Sequence, residues 1–179
     1  MKANPYKILF SISTILRILL PLAIFRSPLF VVVAITFLDA IDVEFASRKV
    51  LTRNGYQRID KCLDTWWYLV ALSFSYFFLN QYFTFLAILF VFRIVGLFAF
   101  IIKEDRRVLF FTPNLFENAF FLFFLANHFP TLNFLIQGTA LYKSLLAVFI
   151  LKMIQEYWIH IAQISIPEHI FGKKRLWKK

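Results

Sequence analysis

A single cysteine, Cys62, stands in 179 residues, so no disulfide closes within the chain and no thiolate cage can hold a metal. Cys62 reads as a packing residue. Acidic side chains are scarce, ten Asp and Glu against twenty Lys and Arg. The three histidines, His128, His160 and His169, show no metal-ligand spacing. There is no internal repeat, and no biased stretch apart from the basic end at 172–179. The first apolar run, 8–25, lacks the small-residue site of a cleavable signal and is long enough to span a bilayer, so it reads as retained.

What the chain has in excess is apolar surface. Sixty per cent of residues are hydrophobic and 20 % aromatic, with a mean hydropathy of +0.70. A soluble domain runs at about 45–50 % apolar. So short a chain still exposes roughly a third of its surface on folding, so the excess cannot be hidden inside. The bilayer must be its solvent, and one membrane domain over 1–179 is the natural organisation. The net charge of +10 therefore points to membrane topology and anionic lipid, with no nucleic acid partner expected.

About 20 apolar residues cross the hydrocarbon core. The pattern predicts an all-α polytopic membrane protein of about six transmembrane helices, at roughly 8–25, 29–50, 60–80, 83–102, 108–127 and 139–164. Turn signals fall at Ser27-Pro28, at 52–55, at Asn80-Gln81 and at 129–133; Thr112-Pro113-Asn114 lies inside the fifth helix or at a kink in it. With the first residues placed in the cytoplasm, fifteen of the Lys and Arg at span ends share that side and only Arg26 lies clearly opposite. The positive-inside rule then makes both termini cytoplasmic, as an even number of spans requires.

Four of the five aspartates lie within 26 residues: Asp39, Asp42, Asp60 and Asp64. The pairs are spaced i, i+3 and i, i+4, so each shares a helix face. Consecutive helices joined by a short connection are antiparallel neighbours, which lets all four carboxylates converge. Like charges at that range repel, and something positive must hold them together. Hard oxygen ligands without His or Cys suit Mg²⁺ or Mn²⁺, with a phosphate-bearing substrate completing the coordination. The plainer alternative is a set of solvated helix ends neutralised by Arg48, Arg53, Arg58 and Lys61. Asp39 fits it least, nine residues before that basic cluster. An ionisable residue at membrane depth is a functional candidate by default.

Residues 39–64, DAIDVEFASRKVLTRNGYQRIDKCLD, resemble the signature of the CDP-alcohol phosphatidyltransferases, D-x2-D-G-x2-A-R-x8/9-G-x3-D-x3-D. The four aspartates and Ala46 fall at the family spacing. Upstream, Arg17 and Pro21 match an Arg-x3-Pro of the family's first membrane helix. The chain departs from the pattern at three positions. Val43 and Tyr56 stand where the family has glycine, and Ser47 where it has arginine, with Arg48 one place later. One residue on a helix is a rotation of about 100°. A glycine there lets a ligand approach the backbone closely, and Val43 fills part of that space.

The resemblance implies a metal-dependent membrane enzyme of phospholipid synthesis. It would transfer a phosphatidyl or phospho-alcohol group from a CDP-linked donor to an alcohol, releasing CMP. Asp39, Asp42 and Asp60 would hold Mg²⁺ or Mn²⁺ with Asp64 bridging or nearby, and Asp64 would be the general base. Val43, Ala46, Ser47 and Arg48 would lie near the nucleotide, and a homodimer is implied. Arg93 would contact a substrate phosphate or pair with Glu117 or Glu156. Arg106 and Arg107 would hold a phosphorylated acceptor, or serve only as topology signal. Trp66, Trp67 and Tyr68 line the cavity or pack between helices. The end at 172–179, GKKRLWKK, reads as a polybasic patch for anionic lipid. The expected location is a prokaryotic plasma membrane, with the site facing the cytoplasm. The main alternative is a catalytically reduced relative acting as a lipid- or metal-binding structural membrane protein. A small transporter ranks lower, since the cluster lies at one end and no repeat symmetry is present. A membrane prenyltransferase ranks lower too, because its acidic motifs lie far apart in a longer chain.

Overall fold

The structure is a computed structural model that describes residues 4–103, 105, 107–162 and 177. The described residues are helical, with no strand among them. The elements are α1 (Pro5–Leu19), tightening into a 3₁₀ stretch Leu20–Phe25, then α2 (Pro28–Ala46), α3 (Arg53–Phe78), α4 (Asn80–Lys103), α5 (Arg107–Phe111) and α6 (Leu115–His128). A 3₁₀ stretch Pro130–Ile136 leads to α7 (Gly138–Glu156), which ends in a π-helical turn Tyr157–Ile161. Two compact units result: residues 1–71 with 166–179, and residues 72–165.

In the first unit, Asn4 caps α1 by accepting the Tyr6 N–H at 3.1 Å, and Pro5 takes the first helical position, where its missing donor costs nothing. Pro21 cannot donate to the Arg17 carbonyl, and the helix tightens there into its 3₁₀ stretch. The Ile18 carbonyl instead accepts Trp66 Nε1 at 2.8 Å, tying α1 to α3. Pro28 opens α2, which packs on α1. The α2 helix stops at Ala46 and α3 starts at Arg53, earlier than the apolar run alone suggested. Thr52 explains the early start: its hydroxyl accepts the Gly55 N–H at 3.1 Å, and its carbonyl accepts the Tyr56 N–H at 3.0 Å. The motif residues 53–60 thereby stand on the first turns of α3.

The second unit is built on phenylalanine. Phe74, Phe116, Phe120, Phe123 and Phe124 are buried, and Tyr82 stacks on Phe123 with ring centroids 4.0 Å apart. The α4 helix passes so close to Thr112 that a Cβ on Gly96 would lie 1.8 Å from its hydroxyl oxygen. Thr112-Pro113-Asn114 breaks the predicted fifth helix into α5 and α6. Arg93 Nη1 donates to the freed Thr112 carbonyl at 2.7 Å. The α4 helix shows an inverted amphipathicity, with Arg93 and Leu97 buried while Ile88, Val91, Val95, Phe98 and Ile102 are exposed.

Among the described residues, three helical stretches are long and apolar enough to cross a membrane: Pro5–Phe25, Asn80–Lys103 and Gly138–Ile159. The other predicted spans differ for physical reasons. The α2 helix carries Asp39, Asp42 and Glu44, and the first turns of α3 carry Arg53, Arg58, Asp60, Lys61 and Asp64. The 14 residues of α6 extend only about 21 Å at 1.5 Å per residue.

Candidate functional site

The first unit gathers the acidic residues around one guanidinium. Arg17 comes from α1, Asp39 and Asp42 from α2, and Tyr56, Asp60, Lys61 and Asp64 from α3. Arg17 Nη2 lies 2.8 Å from Asp39 Oδ1 and 2.8 Å from Asp64 Oδ1. Its Nη1 pairs with Asp42 Oδ2 and lies 3.2 Å from Asp60 Oδ1. Lys61 Nζ bonds Asp60 Oδ2 at 2.8 Å and Asp64 Oδ2 at 2.7 Å. The spacing of the aspartates predicted this convergence, and the cation that holds them together is supplied by the chain itself. Arg17 spreads its donors over four carboxylates, as a planar fork can.

Among the described residues, the four carboxylates meet the cations of Arg17 and Lys61. Oxygens of Asp39, Asp42 and Asp60 lie within 4.8 Å of one another and could hold a metal ion. The centre is closed at Asp42, 1 % exposed, and open at Asp39, 52 % exposed. An ion or a phosphate therefore has an approach from the Asp39 side.

Tyr56, which replaces a motif glycine, is part of the centre. Its hydroxyl donates to Asp42 Oδ1 at 2.6 Å and reaches Asp60 Oδ1 at 3.4 Å. Burial, reinforced by the Asp60 and Asp42 carboxylates, holds this phenol above its ordinary pKa, so it stays a proton donor. Its ring packs with Phe10 and Ala46, and Val43, Phe45 and Trp177 lie against that group.

The other sequence-predicted positions divide. Ala46 and Ser47 are fully buried, and the Ser47 hydroxyl donates to the Glu44 carbonyl at 3.0 Å. Arg48 pairs with Glu44, one turn earlier, and its guanidinium lies 5.8 Å from the Tyr6 ring centre. It does not take the place beside the carboxylates that Arg17 occupies. Arg93 belongs to the second unit. There Asn114 donates its backbone N–H to Glu156 at 3.1 Å and its side-chain amide to Glu117 at 2.8 Å, and Lys152 lies 3.3 Å from Glu156. Arg107 donates its backbone N–H to Asp105 at 2.9 Å. Arg106 lies outside the described residues, as do His169 and all of 172–179 except Trp177.

Sequence reasoning assigned no role in the centre to Arg17 or Tyr56. For Arg17 a signal existed, because an arginine inside an apolar run requires a counter-charge and the aspartates were the nearest supply. For Tyr56 the signal was its place one helical turn before Asp60. No protein-family model, curated protein or solved structure shows a significant match to this chain.

Proposed function

We propose that the chain is a membrane phosphotransferase of phospholipid synthesis, moving a phosphatidyl or phospho-alcohol group from a CDP-linked donor to an alcohol with release of CMP. The observation that supports this most is the meeting of Asp39, Asp42, Asp60 and Asp64 at Arg17, since the same four positions carry the resemblance to the CDP-alcohol phosphatidyltransferases. In this reading all six apolar stretches lie in a prokaryotic plasma membrane, both termini and the site face the cytoplasm, and two copies pair. Asp39, Asp42 and Asp60, with Asp64 beside them, would hold Mg²⁺ or Mn²⁺, which when bound supplies Lewis-acid stabilisation of the diphosphate.

The protein's own groups divide the remaining work. Asp64 accepts the proton of the acceptor alcohol, which attacks the phosphorus and expels CMP. Both Asp64 oxygens accept a hydrogen bond, one from Arg17 and one from Lys61, and each keeps a second lone pair for the proton. The same guanidinium and ammonium are suited to a donor phosphate. Tyr56 orients Asp42, and the bilayer keeps the lipid part of the donor in place.

A second reading has its own support. Arg17, Lys61 and Tyr56 together satisfy much of the acidic centre, as a catalytically reduced, structural relative would need. The test is CMP release by the purified protein in lipid, with CDP-diacylglycerol, Mg²⁺ or Mn²⁺ and a pool of alcohols, beside Asp64→Asn. The transferase reading expects metal-dependent release that vanishes in the variant. No release from any CDP-linked donor favours the second reading.

A further inference from the structure

The α1 and α3 helices run side by side in the same direction. The Phe10 ring lies 6.4 Å from that of Tyr56, and further along Arg17 meets Asp64 and the Ile18 carbonyl accepts Trp66 Nε1. Lys7 stands one turn before Phe10 and Arg53 one turn before Tyr56, so these two cations share a level at the start of both helices. A third cation comes from the connection between α2 and α3. Asn4 Nδ2 donates to the Arg48 carbonyl at 3.2 Å, and the Arg48 guanidinium lies over the Tyr6 ring, which brings Lys49 to the start of α1. Lys7, Lys49 and Arg53 are exposed, and none of them has an ion pair among the described residues. Glu44 is paired with Arg48.

Lys49 occupies a place that disfavours lysine. Its φ is 60°, and the Val50 and Leu51 N–H groups both reach back to the Ala46 carbonyl, at 3.3 and 3.2 Å, closing the end of α2 through it. Glycine or asparagine takes this left-handed backbone most readily, and any other side chain destabilises the turn. The Lys49 side chain bonds no described residue, so no contact in the fold offsets that loss, whereas a ligand for its charge would. The level of the three cations points to the ligand. The apolar span Pro5–Phe25 begins beside them, where a hydrocarbon core gives way to phosphate headgroups. The exposed Tyr6 ring is of the kind that settles at this boundary.

We propose that Lys7, Lys49 and Arg53 form a binding site for the headgroup phosphate of one anionic phospholipid, whose acyl chains lie along the exposed Ile8, Leu9 and Ile12 of α1. Arg48, held by Glu44 and tied through its carbonyl to Asn4, is the positioning residue that keeps Lys49 at the start of α1. The site rests on neither the metal reading nor the transferase reading above.

The test uses the full chain in neutral detergent, titrated with phosphatidylglycerol or phosphatidylcholine, with bound lipid counted by native mass spectrometry. The first phosphatidylglycerol should bind at least about tenfold more tightly than the first phosphatidylcholine, and excess inorganic phosphate should leave it bound. Lys49→Gly and Lys49→Asn should each weaken it about fivefold, and Lys7→Gln/Arg53→Gln about twenty-fivefold. Lys143→Gln, which removes an exposed cation of the second unit, should leave it as in wild type. Thermal unfolding without lipid separates the site from the fold: Lys49→Gly should be at least as stable as wild type, because glycine accepts the backbone that lysine strains. No preference for phosphatidylglycerol overturns the proposal, as do Lys49 variants that bind it like wild type or lose no more than Lys143→Gln. Displacement by inorganic phosphate would assign the cations to a soluble anion and overturn the lipid site. A Lys49→Gly less stable than wild type would mean that the lysine serves the turn, which also overturns it.

Discussion

Arg17→Met removes the charge at the middle of the acidic centre while keeping an unbranched apolar stem. Arg17 is 3 % exposed and its partner Asp42 1 %. Breaking a buried pair by removing one partner costs about 3–5 kcal/mol, because the remaining charge is left in a poor solvent. By the scaling of domains of 150–250 residues, at about 2–4 °C per kcal/mol, Tm should fall by about 6–20 °C in the absence of divalent cation. Three further carboxylates also lose a partner, which places the expectation towards the upper end. Saturating Mg²⁺ should then rescue the variant, since a ligand at a hundred times its Kd adds about 2.7 kcal/mol. Pairing the change with Asp42→Leu should recover part of the loss without metal, because an apolar pair of similar volume replaces a buried ion pair at little net cost. Thermal unfolding in detergent, followed by tryptophan emission with EDTA or with Mg²⁺, measures all three. A single variant as stable as wild type in EDTA would refute the reasoning, and so would a double variant worse than the single one.

Three other perturbations separate the parts of the account. Tyr56→Phe deletes the hydrogen bond to the buried Asp42 carboxylate and should cost about 1.5–3 kcal/mol in EDTA, read from the same unfolding curves. Gly96→Ala drives a Cβ into Thr112 and should destabilise by about 1–3 kcal/mol. Thr112→Ala should relieve it only in part, since the Thr112 Cβ itself lies 2.4 Å from the added atom, whereas Thr112→Gly should relieve it fully. Lys152→Met removes a cation 3.3 Å from the buried Glu156 and should destabilise, with Lys152→Met/Glu156→Gln less affected than the sum of the single changes.

The sequence carried the acidic centre further than it carried the spans. Spacing of i, i+3 and i, i+4 fixes which face each aspartate takes, and a short connection fixes that the two faces meet; both are local rules. Pro113 likewise marks the helix break, because a missing N–H has a local consequence. The identity of the central cation is not local. Arg17 lies 22 residues before the first aspartate, and its position in an apolar run states a need for charge without naming the partner. Tyr56 was legible only as a departure from a glycine, a comparison that tells what is absent and not what the new hydroxyl reaches. The early start of α3 was hidden because a polar stretch reads as loop by hydropathy, although Thr52 supplies the cap that makes it helix.

The central claim is that the carboxylates gathered at Arg17 form one divalent-cation centre. Mn²⁺ titration by electron paramagnetic resonance, with the protein in neutral lipid, tests it most directly in wild type, Asp39→Asn and Asp60→Asn. The account predicts one bound ion per chain in the wild type and an affinity at least about tenfold weaker in each variant, a change of about 1.4 kcal/mol or more. A wild type that binds no ion, or variants that bind it as the wild type does, would contradict it.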